Sequence, residues 1–279
     1  MDRRAISLRP VALTSALLLL FSIPAAAADL NGFLREKGHG DVALSYTSEN
    51  YDQFWLGTTK VDVPNGGDVD TTSLSLWFAY GLTDNLTLVG DLPYVKSKSD
   101  GFDMEKSALQ DLTVLGEYRF ASIGSTTRSD FLGAGGFRTH ASNYEPNLPV
   151  DVGDGTSDIL FRFVYHLEAG AFYFSQQIGY DLRNEDAPDG FPLLTEAGYT
   201  WGPVTLTAGF SVLKARGGTD IGDPGFTFPS NKEEYRRLGG RVYGRITDRF
   251  GVSGAYYQTL GGRNPGDSSG FSVGANYHF

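Results

Sequence analysis

A polar run near the middle of the chain has the residue types of a nucleophilic hydrolase. His140 and Ser142 stand two positions apart in FRTHASNYEPN, and Asp154 follows in the next polar stretch. In an extended strand, residues two apart lie on one face, so the imidazole would lie beside the serine hydroxyl with an acid to orient it. The run therefore suggests a hydrolase as one alternative. The other interpretation is that these are polar residues where a strand meets a loop.

A second constellation is a series of arginines at every second inward position of one segment. Arg237, Arg241 and Arg245 share one parity in RRLGGRVYGR. Such a ladder, faced by acids on other segments, sets a transverse field in a narrow aqueous pore and favours anionic or zwitterionic solutes. The alternative is that acids and bases pair across the interior and plug it. The predicted lumen-lining residues are Asp91, Glu117, Arg119, Arg162, Glu196, Arg237, Arg241 and Arg245.

The sequence has no spacing typical of a metal or cofactor site. The four histidines are scattered, and the chain has no cysteine. The acidic runs RNEDAPD and PVDVGDG lack the ordered spacing of a calcium-binding loop. We therefore expect no metal ion and no cofactor, and we interpret the acidic runs as solvated loops.

Twelve segments of about ten residues alternate apolar and polar side chains, which is the period of a two-faced β-strand. The clearest is the C-terminal FSVGANYHF, where Phe271, Val273, Ala275, Tyr277 and Phe279 share one face. No long stretch has the 3.6-residue period of a helix. The sequence thus predicts an all-β chain of about 12 antiparallel strands.

The connections between these segments alternate in length. Short links such as Thr83 to Asn85 and Gly202-Pro203 alternate with long polar links such as TTKVDVPNGGDVD and ARGGTDIGDPGFTFPSNKEE. Short turns at one end and long loops at the other are typical of a transmembrane up-and-down β-barrel with periplasmic turns and extracellular loops. The alternative all-β fold is a secreted β-sandwich.

Aromatic residues of the apolar face gather at the short-turn ends of their segments. They are Tyr80, Phe120, Tyr165, Phe172, Tyr199, Trp201, Phe250, Tyr277 and Phe279. Rings collected at one level form a girdle at a membrane interface, whereas a sandwich would spread them through its core. We therefore expect the apolar face to contact outer-membrane lipid and lipopolysaccharide.

The C-terminal segment must pair with the first segment if the sheet spans a membrane. An open sheet edge in hydrocarbon would leave backbone N–H and C=O groups without partners. The terminal aromatic also resembles the C-terminal signal by which bacterial outer-membrane proteins are passed to the barrel assembly machinery. That resemblance implies that Tyr277 and Phe279 contact the machinery.

The N-terminus predicts export of the chain to the periplasm. Arg3, Arg4 and Arg9 precede an apolar run and the small residues PAAAAD, so residues 1–28 are expected to be a secretory signal peptide. Residues 29–40 are expected to be a short periplasmic segment, too short for a plug domain, and residues 41–279 the barrel. The net charge of −10 argues against a nucleic-acid partner.

Three stretches resemble a known group of proteins. YGLTDNLTLVGDLPYV, LQDLTVLGEYRF and GDGTSDILFRFVYHL resemble transporter-like outer-membrane proteins grouped with the meta-pathway of phenol degradation. The match departs at GFRTHASNYEP and at Gln110. The resemblance implies a barrel in the outer membrane of a Gram-negative cell and uptake of small aromatic compounds. The run around His140 is similar to runs in outer-membrane phospholipase A and lipid A deacylase.

The sequence therefore predicts a porin-like barrel rather than an enzyme. It would act as a passive channel or facilitator for small-molecule solutes, aromatic or anionic. Two alternatives stay open: a lipid hydrolase of phospholipase or deacylase type that uses His140 and Ser142, and a structural barrel with a plugged lumen.

Overall fold

The computed structural model describes residues 29–146, 150, 152–184 and 186–279. The predicted signal peptide, residues 1–28, lies outside the described residues. Among the described residues, no helix has the length and apolar character needed to cross a membrane.

Antiparallel strands dominate the described part of the chain. They are β1 (Gly40–Tyr51), β2 (Gln53–Leu56), β3 (Thr59–Asp62), β4 (Val69–Thr83), β5 (Leu86–Ser99), β6 (Met104–Leu109), β7 (Asp111–Ile123), β8 (Thr127–His140), β9 (Ser157–Ala169), β10 (Phe172–Leu182), β11 (Asp189–Trp201), β12 (Val204–Arg216), β13 (Glu234–Arg245), β14 (Phe250–Arg263) and β15 (Ser269–His278). One short 3-10 helix spans Pro64–Gly66.

Twelve of these strands, all except β2, β3 and β6, form a closed barrel. Each pairs with its neighbours in chain order, β4 pairs with β5, and β15 returns to pair with β1. The last pair aligns His278 with Asp41, and Phe279 exchanges backbone hydrogen bonds with Gly40 at 2.9 and 3.0 Å. The predicted twelve-strand barrel and the predicted pairing of its first and last strands are confirmed.

Alternation of side chains gives the barrel its two faces. On the outer face, apolar residues such as Leu44, Leu76 and Phe161 are about half exposed. On the inner face, polar residues such as Glu196 and Arg241 are buried. At the short-turn end, rings lie side by side on the outside, with Phe250 and Tyr277 at 5.0 Å and Tyr277 and Phe279 at 6.2 Å. This is the apolar band and aromatic girdle of a transmembrane barrel.

The two ends of the barrel differ as the connection lengths predict. The turns after β4, β7, β9, β11 and β13 are short. The opposite end carries the longer connections, including the β2–β3 hairpin and the segment between β12 and β13. β6 extends the sheet toward the long-loop end. It pairs with residues 94–99 of β5, whereas β7 pairs with residues 86–91 of the same strand. The alternation of the sequence predicts twelve strands and does not include β2, β3 or β6.

Candidate functional site

The segment before the first strand lies inside the barrel. The Leu30 amide donates to Gln177 Oε1 at 2.7 Å, and the Arg35 amide donates to Thr87 Oγ1 at 2.8 Å. Asn31 Nδ2 donates to Glu196 Oε2 at 3.3 Å. Since Gln177, Thr87 and Glu196 are inward residues of β10, β5 and β11, residues 29–35 occupy the lumen. Of the residues 29–40 predicted as a short periplasmic segment, residues 29–35 thus lie within the barrel.

An apolar inner wall holds this segment in place. Leu30 and Leu34 pack against a cluster of buried inward residues. The strand members of the cluster are Ala79, Val89, Leu115, Leu132, Ala134, Leu160 and Val164, from β4, β5, β7, β8 and β9. The segment therefore gains free energy by removing apolar surface from lumenal water. We define the lumenal segment as residues 29–35.

An aromatic side chain fixes the middle of the lumenal segment. The ring centroid of Phe33 lies 4.2 Å from that of His166 and 5.0 Å from that of Tyr173, both in edge-on geometry. The Cβ that a side chain at Gly32 would carry lies 2.5 Å from His166 Cβ, and Gly32 has a φ of 84°. Only glycine combines this close approach with a left-handed backbone.

A chain of buried polar side chains connects the C-terminal end of the lumenal segment to the first and last strands of the barrel. Arg35 forms an ion pair with Asp41, whose other carboxylate oxygen lies 2.6 Å from His278 Nδ1. His278 Nε2 lies 3.0 Å from the Tyr243 hydroxyl. Arg35, Asp41 and Tyr243 are each at most 4% exposed. Because a buried ion pair is costly to break, this chain favours the inserted position of the segment.

A polar cavity of about 470 Å³ opens above the lumenal segment. One wall is made of small residues on four neighbouring strands, β14, β15, β1 and β4. It comprises Ser253, Ala255, Ser272, Ser45, Thr47, Thr71, Ser73 and Ser75. Cross-strand alignment places Thr47 between Ser272 and Ser73, so the hydroxyls form rows across the sheet. Small hydroxyl side chains leave the space beside this wall open to water.

Ion pairs crowd the remaining wall, from β8 to β13. Arg241 Nη2 donates to Glu196 Oε1 at 3.0 Å, although β12 lies between their strands. Arg162 pairs with Asp181. Arg138 Nε donates to Asp158 Oδ2 at 2.8 Å. Each pair places opposite charges side by side, which cancels much of the field that either group would set in the lumen.

Arg237 lies between two aromatic rings. Its guanidinium carbon is 4.4 Å from the ring centroid of Tyr235 and 5.5 Å from that of Tyr257. Its Nε donates to Thr259 Oγ1 at 3.1 Å, and Glu49 Oε1 lies 3.9 Å from Nη2. The rings hold the planar guanidinium by cation–π contacts, so it faces the cavity in a fixed orientation.

The other predicted lining residues lie at three levels. Asp91 lines the cavity and accepts a hydrogen bond from Ser75. Glu117 is buried on β7, below the cavity. Arg119 lies at the short-turn rim, where Nη2 donates to Asn85 Oδ1 at 2.8 Å. Arg245 is exposed at the end of β13. Asp91 is thus the carboxylate of this group that faces cavity water.

The structure does not bring the hydrolase candidates together. The Ser142 hydroxyl donates to the backbone carbonyl of Leu109 at 2.6 Å. Asp154 instead accepts from Arg183 Nη1 at 3.1 Å. Among the described residues, no hydrogen bond joins His140 to Ser142 or to Asp154. The arrangement therefore lacks the geometry of a serine nucleophile activated by a histidine base. The described residues also contain no group of three potential ligands placed to hold a metal ion.

Long connections fold over the mouth of the cavity. The β8–β9 connection places Val152, Gly153 and Asp154 in the cavity lining. Glu233, just before β13, also lines the cavity, and burial raises the pKa of its carboxyl group. Farther out, Arg263 hydrogen-bonds to Asp220 and lowers the pKa of that carboxyl group. The mouth is therefore narrowed by ordered polar loops.

The fold and its two faces define a class of protein: a closed barrel with an apolar outer band and a polar, partly filled interior, as in barrels that span a membrane. The comparison with solved structures agrees. The COG4313 outer membrane channel from Pseudomonas putida F1 matches with a TM-score of 0.75 and 14% identity, over 90% of this chain and all of that one.

Two further barrels match less well. The translocator domain of the autotransporter NalP from Neisseria meningitidis has a TM-score of 0.49 and 11% identity, over 88% of this chain and 90% of that one. The KdgM porin in complex with disordered oligogalacturonate has a TM-score of 0.48 and 10% identity, over 85% and 99%. No family model and no curated protein matches the chain, so the likeness to the phenol meta-pathway group stays a resemblance.

Proposed function

We propose that this protein is a passive outer-membrane channel for small polar molecules. The main support is the cavity inside the twelve-strand barrel. Small, mostly hydroxyl-bearing residues of β14, β15, β1 and β4, here called the hydroxyl wall, bound the cavity on one side. A barrel of this size is too wide for its wall side chains alone to fill and narrower than general porins. The similar structure from Pseudomonas putida F1 is that of an outer membrane channel, which supports the same function.

The solute range follows from the lining. Short hydroxyl side chains hydrogen-bond any polar solute, and the cavity volume limits its size. The family resemblance adds small aromatic compounds, and the rings of Trp77, Tyr235 and Tyr257 are the aromatic surfaces that they would meet in the cavity. The lumenal segment supports the second candidate function, a structural barrel with a plugged lumen, because it fills part of the interior.

Adjacent residues on opposite faces of β15 test the channel proposal. Ser272 lines the cavity, whereas Val273 is exposed on the outer face. In planar bilayers, we expect discrete conductance steps from the wild type and clearly smaller steps from Ser272→Trp, because the indole fills space beside the hydroxyl wall. Val273→Trp is the matched control and should conduct as the wild type does, because its indole enters lipid.

Two outcomes would contradict the channel proposal. Wild-type protein that inserts and migrates as a folded barrel without conducting would favour the plugged structural barrel. Equal conductance of the two tryptophan variants would mean that ions do not pass beside β15.

A weak cation preference is expected instead of the anion preference that the arginines alone suggested. Among the described residues, six carboxylates and four guanidinium groups line the cavity. The carboxylates belong to Glu49, Asp91, Asp111, Asp154, Asp181 and Glu233, and the guanidinium groups to Arg138, Arg183, Arg237 and Arg241. Asp91 forms no ion pair with a described residue, so its charge acts on the cavity water.

Reversal potentials across a salt gradient measure this preference. Asp91→Asn should shift the reversal potential toward zero, and Arg237→Gln should shift it toward stronger cation selectivity. Lys96→Gln on the outer face is the control, because its ammonium group lies outside the lumen and pairs with Glu105. Anion selectivity of the wild type would contradict the charge count.

A further inference from the structure

We propose that the outer surface of β12 and β13, at the long-loop end, binds the phosphate groups of lipopolysaccharide. Three basic side chains lie there on the outer face: Lys214, Arg216 and Arg236. Their exposure alternates with inward neighbours, since Leu213 and Tyr235 are less exposed than Lys214 and Arg236. We call Lys214, Arg216 and Arg236 the basic patch.

Aromatic contacts place the basic patch at the level of lipid headgroups. Arg216 Nη1 lies 3.4 Å from the Tyr180 hydroxyl. The rings of Tyr180 and Phe191, on the outer faces of β10 and β11, are 4.9 Å apart. Amphipathic rings at the edge of an apolar band mark the membrane interface. Nearer the short-turn end of the same two strands, Leu238 and Leu206 of the apolar band are each more than half exposed.

The patch carries more positive charge than its own acids neutralise. Lys214 Nζ pairs with Glu234 Oε2 at 2.7 Å. Asp189 lies across from Arg216 in the register of β11 and β12, and it accepts from the Tyr180 hydroxyl. Arg236 is exposed and forms no ion pair with a described residue. Three bases therefore face two acids.

The opposite side of the barrel has the reverse balance at the same end. On the outer face of β5, Lys96 pairs with Glu105 at 2.7 Å and Lys98 pairs with Asp100 at 2.6 Å. Asp70 lies across from Lys98. Two bases there face three acids. Of these two surfaces, the one on β12 and β13 thus has the surplus of positive charge.

The lipid that fits such a patch has phosphates at the interface and acyl chains below them. Guanidinium groups bind phosphate through two parallel hydrogen bonds, and an ammonium group binds it as a point charge. The long-loop end of a barrel faces outward, and the outer leaflet of an outer membrane is built from lipopolysaccharide, whose lipid A portion combines phosphates with acyl chains.

Binding of purified lipid A to the detergent-solubilised barrel tests this inference. Native mass spectrometry compares lipid A that carries both phosphates with lipid A from which they have been removed. For the wild type, we expect about tenfold tighter binding of the phosphorylated lipid, as a few interfacial bases near an anionic headgroup would provide. Arg216→Gln/Arg236→Gln should remove most of this difference.

Lys96→Gln/Lys98→Gln removes the same number of charges from the opposite side and should retain the preference. Both variants must migrate as folded barrels. Lipid binding is measured without any conductance readout, so the result does not depend on channel activity. Equal binding of the two lipids by the wild type, or an equal loss in the two double variants, would overturn the inference.

Discussion

Replacement of residues 29–35 by a Gly–Ser sequence of equal length is expected to raise single-channel conductance about threefold or more, because a twelve-strand barrel without internal filling encloses an aqueous channel. The lumenal segment now fills the side of the interior lined by β4, β5, β7, β8 and β9. Equal length keeps the spacing to β1, and the backbone pairing of β1 with β15 does not involve residues 29–35. Planar-bilayer recording gives the step size directly.

A single substitution on β4 tests whether the lumenal segment limits conductance, without altering the sequence of the segment. A Cβ at Gly81 would lie 2.1 Å from the Glu36 carbonyl oxygen and 2.5 Å from that of Arg35. Gly81→Val should therefore displace the base of the segment and raise conductance or its fluctuations. Gly244→Val is the control, because a Cβ there meets no atom within 4 Å. Unchanged conductance in both Gly81→Val and the Gly–Ser variant would show that the lumenal segment does not limit the current.

The barrel could be predicted from sequence because its determinants are local. A two-residue alternation repeated twelve times requires a two-faced sheet, and a membrane requires that sheet to close. Phe271 to Phe279 illustrate this, since their alternation runs to the last residue and the structure pairs them with β1.

The filling of the lumen was not predictable by the same argument. The pattern assigns polar residues to the inner face, yet Leu115, Leu132 and Val164 lie there and are at most 1% exposed. Their partners, Leu30 and Leu34, stand in a short segment without periodicity. Contacts between a non-periodic segment and strands more than fifty residues away leave no local signal.

Which acidic side chain pairs with which arginine was not predictable from the sequence for a related reason. The inward residue of β12 that aligns with Arg241 is the small Thr207, which leaves space in front of the guanidinium group. Arg241 uses that space, reaching past β12 to Glu196 on β11. The sequence identified both side chains as lumenal and left open whether they set a field or pair. The partner depends on the cross-strand register, which the alternation of one strand does not specify.

Separation of this pair is expected to have the largest effect on stability. Arg241 and Glu196 have side chains only 4% and 2% exposed. Glu196→Leu leaves a buried guanidinium group without its carboxylate, at a cost of about 3 kcal/mol in the free energy of unfolding. Arg241→Met leaves the carboxylate with Asn31 as a hydrogen-bond donor, so its cost should be smaller. Urea unfolding in lipid vesicles, followed by the gel shift of the folded barrel, measures both.

The double variant Arg241→Met/Glu196→Leu should recover to within about 1 kcal/mol of the wild type, because a buried ion pair replaced by apolar groups of similar volume is often neutral. Lys96→Met at the exposed Lys96–Glu105 pair is the control and should show no measurable loss. Recovery in the double variant would mean that the pair lies in a dry wall and that solutes pass on the hydroxyl side. If Glu196→Leu instead behaves like the control, water reaches Arg241 freely, and the guanidinium group belongs to the conducting path.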